Sequence, residues 1–146
     1  MDKLPYNEDQ FYHWHKIETR FRDLDTLRHV NNANFFTYYE EARIHFLAHY
    51  ASKSGAEFGK TKSFVLVKAE TEFLGQIKYP STLLVGTGIL EVGNSSLVAL
   101  QAIYDEKDKS LKSMAKTKGV WFDLEKQRPT RLPEIENLDE MLVTLP

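Results

Sequence analysis

The run Arg22-Asp23-Leu24-Asp25-Thr26-Leu27-Arg28-His29-Val30-Asn31-Asn32-Ala33-Asn34, continued by Phe35-Phe36-Thr37-Tyr38-Tyr39-Glu40-Glu41-Ala42-Arg43-Ile44-His45-Phe46-Leu47, decides how the chain folds. Its first half is polar and carries two acids; its second half is the most apolar helical stretch of the sequence. Asn31, Asn32 or Asn34 can cap a helix, because a short amide accepts a hydrogen bond from a first-turn N–H. From Phe35 the apolar positions Phe35, Tyr39, Ala42 and Phe46 recur at helical spacing, and Tyr38 and Ile44 widen the stripe. The pattern predicts a largely enclosed helix from Ala33 to Tyr50, about 25–27 Å long at 1.5 Å per residue. A carboxylate, an imidazole and two amides thus stand at or before a helix N-terminus, where unpaired N–H groups and the dipole favour developing negative charge.

Upstream, Phe11 to Arg22 alternates in period two, with Phe11, His13, His15, Ile17, Thr19 and Phe21 on one side. That reads as a half-buried strand. Downstream, Ala51 to Lys62 reads as a connection, and four further strands are expected over 63–73, 82–92, 96–104 and 111–123. Gly93-Asn94 marks a hairpin-like turn, and Asp105 to Lys109 is a polar turn. A short helix is expected within Glu134 to Leu142. One long helix cannot cover both faces of a five-stranded sheet. The sheet must curl round it, with an outer face that stays polar or meets another subunit.

The chain has 146 residues, enough for one domain with a real core. Its 42% hydrophobic and 27% charged residues are those of an ordinary globular protein, and its net charge of -2 argues against a nucleic-acid partner. Without cysteine, disulfides, thiolate metal sites and cysteine nucleophiles are excluded. The first ten residues lack the apolar core of a signal peptide, and no apolar run approaches the roughly 20 residues of a membrane span. A cytoplasmic location and no membrane association are the expectation.

Other chemistries fit poorly. His45 and His49 are four apart and His13 and His15 share a strand face, but the zincin glutamate is missing, so no metal is expected. Gly86-Thr87-Gly88 and Gly93 have the wrong spacing for a dinucleotide loop and no helix follows. No Gly-x-Ser-x-Gly elbow exists. Asp23 reads as a surface or turn-stabilising acid, and Glu40, Glu41 and Arg43 as local helix ion pairs, Glu40 to Arg43 at i,i+3 being one, unless one of them buttresses the loop. Lys112, Lys116 and Lys118 share a face that either protects an edge strand or, with Arg128 and Arg131, meets the phosphates of a ligand or an acidic protein.

Three segments together, Phe21-Arg22-Asp23-Leu24-Asp25, His29-Val30-Asn31-Asn32-Ala33 and Tyr39-Glu40-Glu41-Ala42-Arg43, resemble hotdog-fold thioesterases of the 4-hydroxybenzoyl-CoA thioesterase type. The Asp25 to Asn32 portion is also similar to long-chain acyl-CoA and plant acyl-ACP thioesterases. The resemblance implies an α+β hotdog fold over residues 1–146, an antiparallel sheet of about five strands around one helix, working as a dimer or tetramer. It implies active sites at subunit interfaces, an acyl-CoA or acyl-carrier-protein thioester substrate and no cofactor. Asp25 matches the catalytic carboxylate, and Asn32 the residue whose backbone N–H polarises the thioester carbonyl. His29 either orients the acid, contacts the acyl group or is a satisfied loop histidine. Asn31 and Phe35 are further substrate-binding candidates.

The chain departs from relatives at three places. Arg28 stands where many have glycine, Gly93-Asn94-Ser95 falls where some carry basic residues for CoA phosphates, and Leu27 replaces the asparagine of the plant enzymes. The rival readings are a hotdog enoyl-thioester hydratase or dehydratase, and a non-catalytic acyl-thioester binding protein.

Overall fold

A computed structural model describes residues 4–54, 61–134 and 138–143. In chain order the elements are β1 (His13–Glu18), a 3-10 turn (Phe21–Asp23), α1 (Asn32–Ser54), β2 (Lys62–Phe73) and β3 (Thr82–Val92). They are followed by β4 (Ser96–Asp105), β5 (Leu111–Asp123), β6 (Arg128–Pro129) and α2 (Leu138–Met141). The main strands lie in the antiparallel order β1-β3-β4-β5-β2, with β6 paired to β5. This is the hotdog arrangement, a sheet curled round α1. No described helix is long and apolar enough to cross a membrane.

The inner face packs on the helix. Phe35, Tyr38, Tyr39 and Ala42 of α1 meet Ile17, Leu83, Val85, Ile103 and Ala115, all buried. Burying each of the larger of these side chains contributes about 1.5–3 kcal/mol. Tyr39 is the largest fully buried side chain among the described residues, and its hydroxyl keeps a partner by donating to Ser113 Oγ at 2.7 Å.

The outer face is neither bare nor wholly polar. The chain's own N-terminal segment lies on it: Leu4 and Phe11 join Leu84, Leu100, Ala102, Tyr104 and Met114 in a second cluster, with Tyr6, Trp14 and Val143 packed against it. Two glycines make room. A Cβ at Gly86 would stand 2.5 Å from the Phe11 ring, and one at Gly88 would collide with the Val143 side chain.

Several expectations need correction. The first strand ends at Glu18; the next turn tightens into the 3-10 helix, and Phe21 points out at 74% exposure. The helix begins one residue earlier than expected and runs on to Ser54, while residues 55–60 of the anticipated connection lie outside the described residues. It is not fully enclosed in the single chain, since Phe36 and Ile44 are 48% and 59% exposed. β5 is no edge strand, because β4 and β2 flank it; the edges are β1 and β2. Of the expected C-terminal helix, Leu138–Met141 is present, and 135–137 lie outside the described residues.

Candidate active site

The loop between the 3-10 turn and α1 is closed at its base. Leu24 bridges to Val30, and the Val30 N–H donates to Ile77 O at 2.9 Å. Within it, Asp25 folds the chain back on itself. Its N–H donates to His29 O at 2.9 Å, and its Oδ1 accepts from the N–H of Leu27 at 2.8 Å and of His29 at 3.4 Å. An Asp side chain bonding its own backbone two residues on is the expected turn chemistry. Arg28 completes the turn at φ 61°, the left-handed region that glycine enters freely and other residues enter at a cost.

Only one oxygen of Asp25 is used in this way. Among the described residues Oδ2 accepts no hydrogen bond and no cation, Arg28 included, lies within ion-pair distance of the carboxylate. Asp25, His29, Asn31, Asn32 and Phe35 line one cavity of about 480 Å³. Phe73, Leu74, Gly75 and Gln76 close its other side from the end of β2. That volume is ordinary for a small-molecule site. The buried Phe35 ring stacks edge-on against Phe73 with centroids 5.2 Å apart and forms part of the apolar wall.

The helix start is organised round Asn31. Its Oδ1 accepts from Ala33 N–H at 2.9 Å and its carbonyl from Asn34 N–H at 2.8 Å, making Asn31 the cap. The N–H of Asn32, first of the helix, meets no acceptor among the described residues. The Nδ1 of His29 is likewise buried without a partner.

Asp23 is the acid that sequence reasoning undervalued. It is 1% exposed, not a surface residue, and it ties three elements together. Its carboxylate accepts from Tyr38 Oη at 2.7 Å, from Arg20 Nη2 at 2.9 Å and from Arg20 N–H at 3.0 Å. Its carbonyl accepts from Asn31 N–H at 2.9 Å and Asn34 Nδ2 at 3.0 Å. Burial alone would raise its pKa; the Tyr38 hydroxyl and the Arg20 guanidinium outweigh that and hold it below the usual carboxylate value. Burial and then the bond to Asp23 push the Tyr38 pKa up. The Arg20-x-x-Asp23 spacing was the one local sign of this node.

Arg128 and Arg131 are not brought to this cavity within one chain. Arg128 pairs with Asp123 at the end of β5, whereas Leu74 and Gly75, which line the cavity, bond Lys112 near its start. Eleven residues of strand, roughly 36 Å at 3.3 Å each, separate the two ends.

A second polar group lies between β1 and α1, where four of the five histidines meet. The His15 and His45 rings stack at 4.0 Å, and those of His13 and His49 lie 6.5 Å apart. His15 Nε2 donates to Glu41 Oε2 at 2.8 Å, and Tyr12 Oη and His49 Nε2 share a 2.8 Å hydrogen bond. Burial, then the neighbouring His15, His49 and His45, lower the pKa of His13, whose Nδ1 has no partner. Among the described residues no three His, Asp or Glu side chains are grouped so as to hold a metal ion.

Residues 19–142 match the family model of the thioesterase-like superfamily. No curated protein matches the chain. Among solved structures, the PA2801 protein of Pseudomonas aeruginosa, a proposed thioesterase, is similar at 27% identity and TM-score 0.77, over 85% of this chain and 94% of that one. A proposed acyl-CoA thioesterase from Xanthomonas campestris is similar at 26% identity and TM-score 0.71, over 84% and 99%. Slr0204 of Synechocystis, a 1,4-dihydroxy-2-naphthoyl-CoA thioesterase, shares the fold at 18% identity and TM-score 0.70, over 82% and 88%.

Proposed function

We propose, from the premise that the chain belongs to the thioesterase-like superfamily, that this thioester hydrolase acts on an acyl-CoA, giving the carboxylic acid and free CoA. The observation that carries this reading is a pairing on one cavity wall: the open Oδ2 of Asp25 and the unpartnered N–H of Asn32. A thioester carbonyl needs a base or nucleophile on one side and a donor for the developing oxyanion on the other. A main-chain N–H at a helix start supplies the donor without reorganisation, and the dipole adds to it.

In this mechanism the carbonyl oxygen sits against the Asn32 N–H. Asp25 then either takes a proton from the attacking water or attacks directly, forming an anhydride that water opens. Either way the C–S bond breaks, the thiolate leaves, and it takes up a proton. The turn bonds to Oδ1 fix the carboxylate so that Oδ2 faces the substrate. His29 lines the same wall, and Asn31 holds the helix start in place. The acyl group rests against Phe35 and Phe73. Similarity to a proposed acyl-CoA thioesterase supports CoA as the carrier.

The working unit in this proposal is a pair of chains joined at β2. That edge exposes Leu66 at 49% and Val67 at 55%, beside the exposed Phe36 and Ile44 of α1. An unpaired strand edge with apolar side chains invites another strand. A two-fold axis across β2 sets the Lys62 end of one strand against the Phe73 end of the other. The end of the partner that carries Arg128 and Arg131 then moves toward the Asp25 cavity, where CoA phosphates need cations.

The test is a thiol-release assay across acyl-CoA chain lengths, comparing the parent with Asp25→Ala. Loss of about 10²–10⁴-fold in rate is expected for a general base. Equal rates in the two proteins would remove Asp25 from the mechanism.

A further inference from the structure

Arg43 stands apart from every role given so far. It is half-buried on α1, eleven residues and so roughly 16 Å beyond Asn32 along the axis. Its Nη1 donates to Gln101 Oε1 at 3.2 Å, and among the described residues no carboxylate lies within ion-pair distance. The expected pair with Glu40 is not formed, although Glu40 lines the same cavity. A guanidinium has five N–H donors, and a desolvated one is ordinarily matched by an anion.

The polar support beneath it is fixed. Gln101 is wholly buried, and its Nε2 donates to the Tyr39 carbonyl at 3.1 Å and to Thr87 Oγ1 at 3.0 Å. With both amide hydrogens committed, Oε1 can only face Arg43. The fold thus holds a cation in place while leaving most of its donors unused. Around it lies a cavity of about 180 Å³ whose walls include Leu47, Leu66, Ile89, Leu97 and Ala99. Apart from Arg43, Glu40 and Thr117 the lining is apolar, and apolar walls with a few oriented polar groups are the usual form of a small-ligand site.

We propose that this cavity binds a carboxylate carried on a short apolar chain, with Arg43 pairing the anion and the cavity taking the chain. The planar guanidinium fork matches a carboxylate in two parallel hydrogen bonds. At about 30 Å³ per water-sized group, the volume holds roughly six such groups, so a chain near six carbons fits. Such a carboxylate comes either from the distal end of the acyl group of a thioester or from a free acid such as the product of hydrolysis. The first source rests on the thioesterase reading; the second does not.

The experiment has two arms. Calorimetric titration with hexanoate and, as uncharged control, hexanol is run on the parent, Arg43→Met, Arg43→Lys and Ala99→Leu. Saturable binding of hexanoate to the parent is expected, and about tenfold or more weaker binding to Arg43→Met, as for loss of a charge-assisted pair. Arg43→Lys should retain part of it. Ala99→Leu, which fills the cavity and keeps Arg43, should also block it, and keeps the test decisive if Arg43→Met does not fold.

In the second arm, thiol release is compared for dodecanedioyl-CoA and dodecanoyl-CoA, whose chain is long enough to run from Asn32 to Arg43 while a six-carbon chain is not. A preference for dodecanedioyl-CoA that Arg43→Met abolishes assigns the distal end of the acyl group; hexanoate binding with no such preference assigns the free acid. Equal hexanoate binding by all four proteins, or none, with an unchanged dodecanedioyl to dodecanoyl ratio, overturns the proposal. Absence of thiol release from every thioester would instead sink the thioesterase reading, and hexanoate binding would still decide this one.

Discussion

The Tyr38 hydroxyl donates a 2.7 Å hydrogen bond to Asp23 Oδ2, and both residues are buried. Through this contact the second turn of α1 is bolted to the 3-10 turn that leads into the Asp25 loop. Tyr38→Phe leaves the buried carboxylate one donor short, which costs about 1–3 kcal/mol. The expected outcome is a lower urea midpoint with an unchanged slope, and a slower thioester turnover because the loop is held less firmly.

Arg28 sits at φ 61° in the tight turn that Asp25 closes. Glycine adopts that geometry without the roughly 1–2 kcal/mol steric cost of a left-handed residue, though it gives back part in chain entropy. Arg28→Gly should therefore raise the melting temperature by a few degrees. A fall in melting temperature would show that the arginine side chain makes a compensating contact.

The histidine cluster predicts how stability responds to pH. Burial first, and then its histidine neighbours, lower the folded pKa of His13 below its ordinary 6.5. The unfolded chain thus binds the proton more readily, so protonation favours unfolding. The contribution of His13 is complete above pH 6.5 and is lost as pH falls from there through the lower folded value. Melting temperatures between pH 8 and 5 should decline on the acid side, and His13→Gln should flatten that decline. The same logic places the Asp23 contribution in a more acidic window: it is present above the ordinary 3.8 and is lost as pH falls through the lower folded value.

The β2 edge gives a test of assembly. Val67 sits where the register between β2 and β5 shifts, at a bulge between Leu66 and Lys68, and is 55% exposed. Charge on an edge strand opposes pairing. Val67→Lys should convert the proposed dimer to monomer in sedimentation while leaving the far-ultraviolet spectrum intact. Activity should fall with the dimer.

Much of this architecture was legible locally. The Phe35, Tyr39, Ala42 and Phe46 spacing and the asparagines before it announced α1, because capping and amphipathic period are properties of neighbouring residues. Strand alternation after Ser63 was equally local. What could not be read was who pairs with whom. Lys112, Lys116 and Lys118 look like an edge-strand face, yet β5 lies between β4 and β2, since strand order depends on how distant hairpins meet. Asp23 was expected as a surface or turn-stabilising acid; it does hold the turn, through the Arg20 N–H, but its burial went unread because its Tyr38 partner lies fifteen residues away. Arg43 was expected to pair within its own helix, whereas Gln101 of β4 holds it from across the core. In the candidate site, Asp25, His29, Asn31, Asn32 and Phe35 come together because one loop and the first turn of α1 carry them. Gln76 and Phe73, on the opposite wall, gave no sign in the sequence.

Gly86 and Gly88 are the reason Phe11 and Val143 can lie flat on the sheet. The segments that carry Phe11 and Val143 upholster the back of the sheet, whereas the β2 margin keeps Leu66 and Val67 exposed. An added methyl group at either glycine would lift that cover and expose a second greasy area. The pair of chains proposed at β2 would then be able to grow into open clusters.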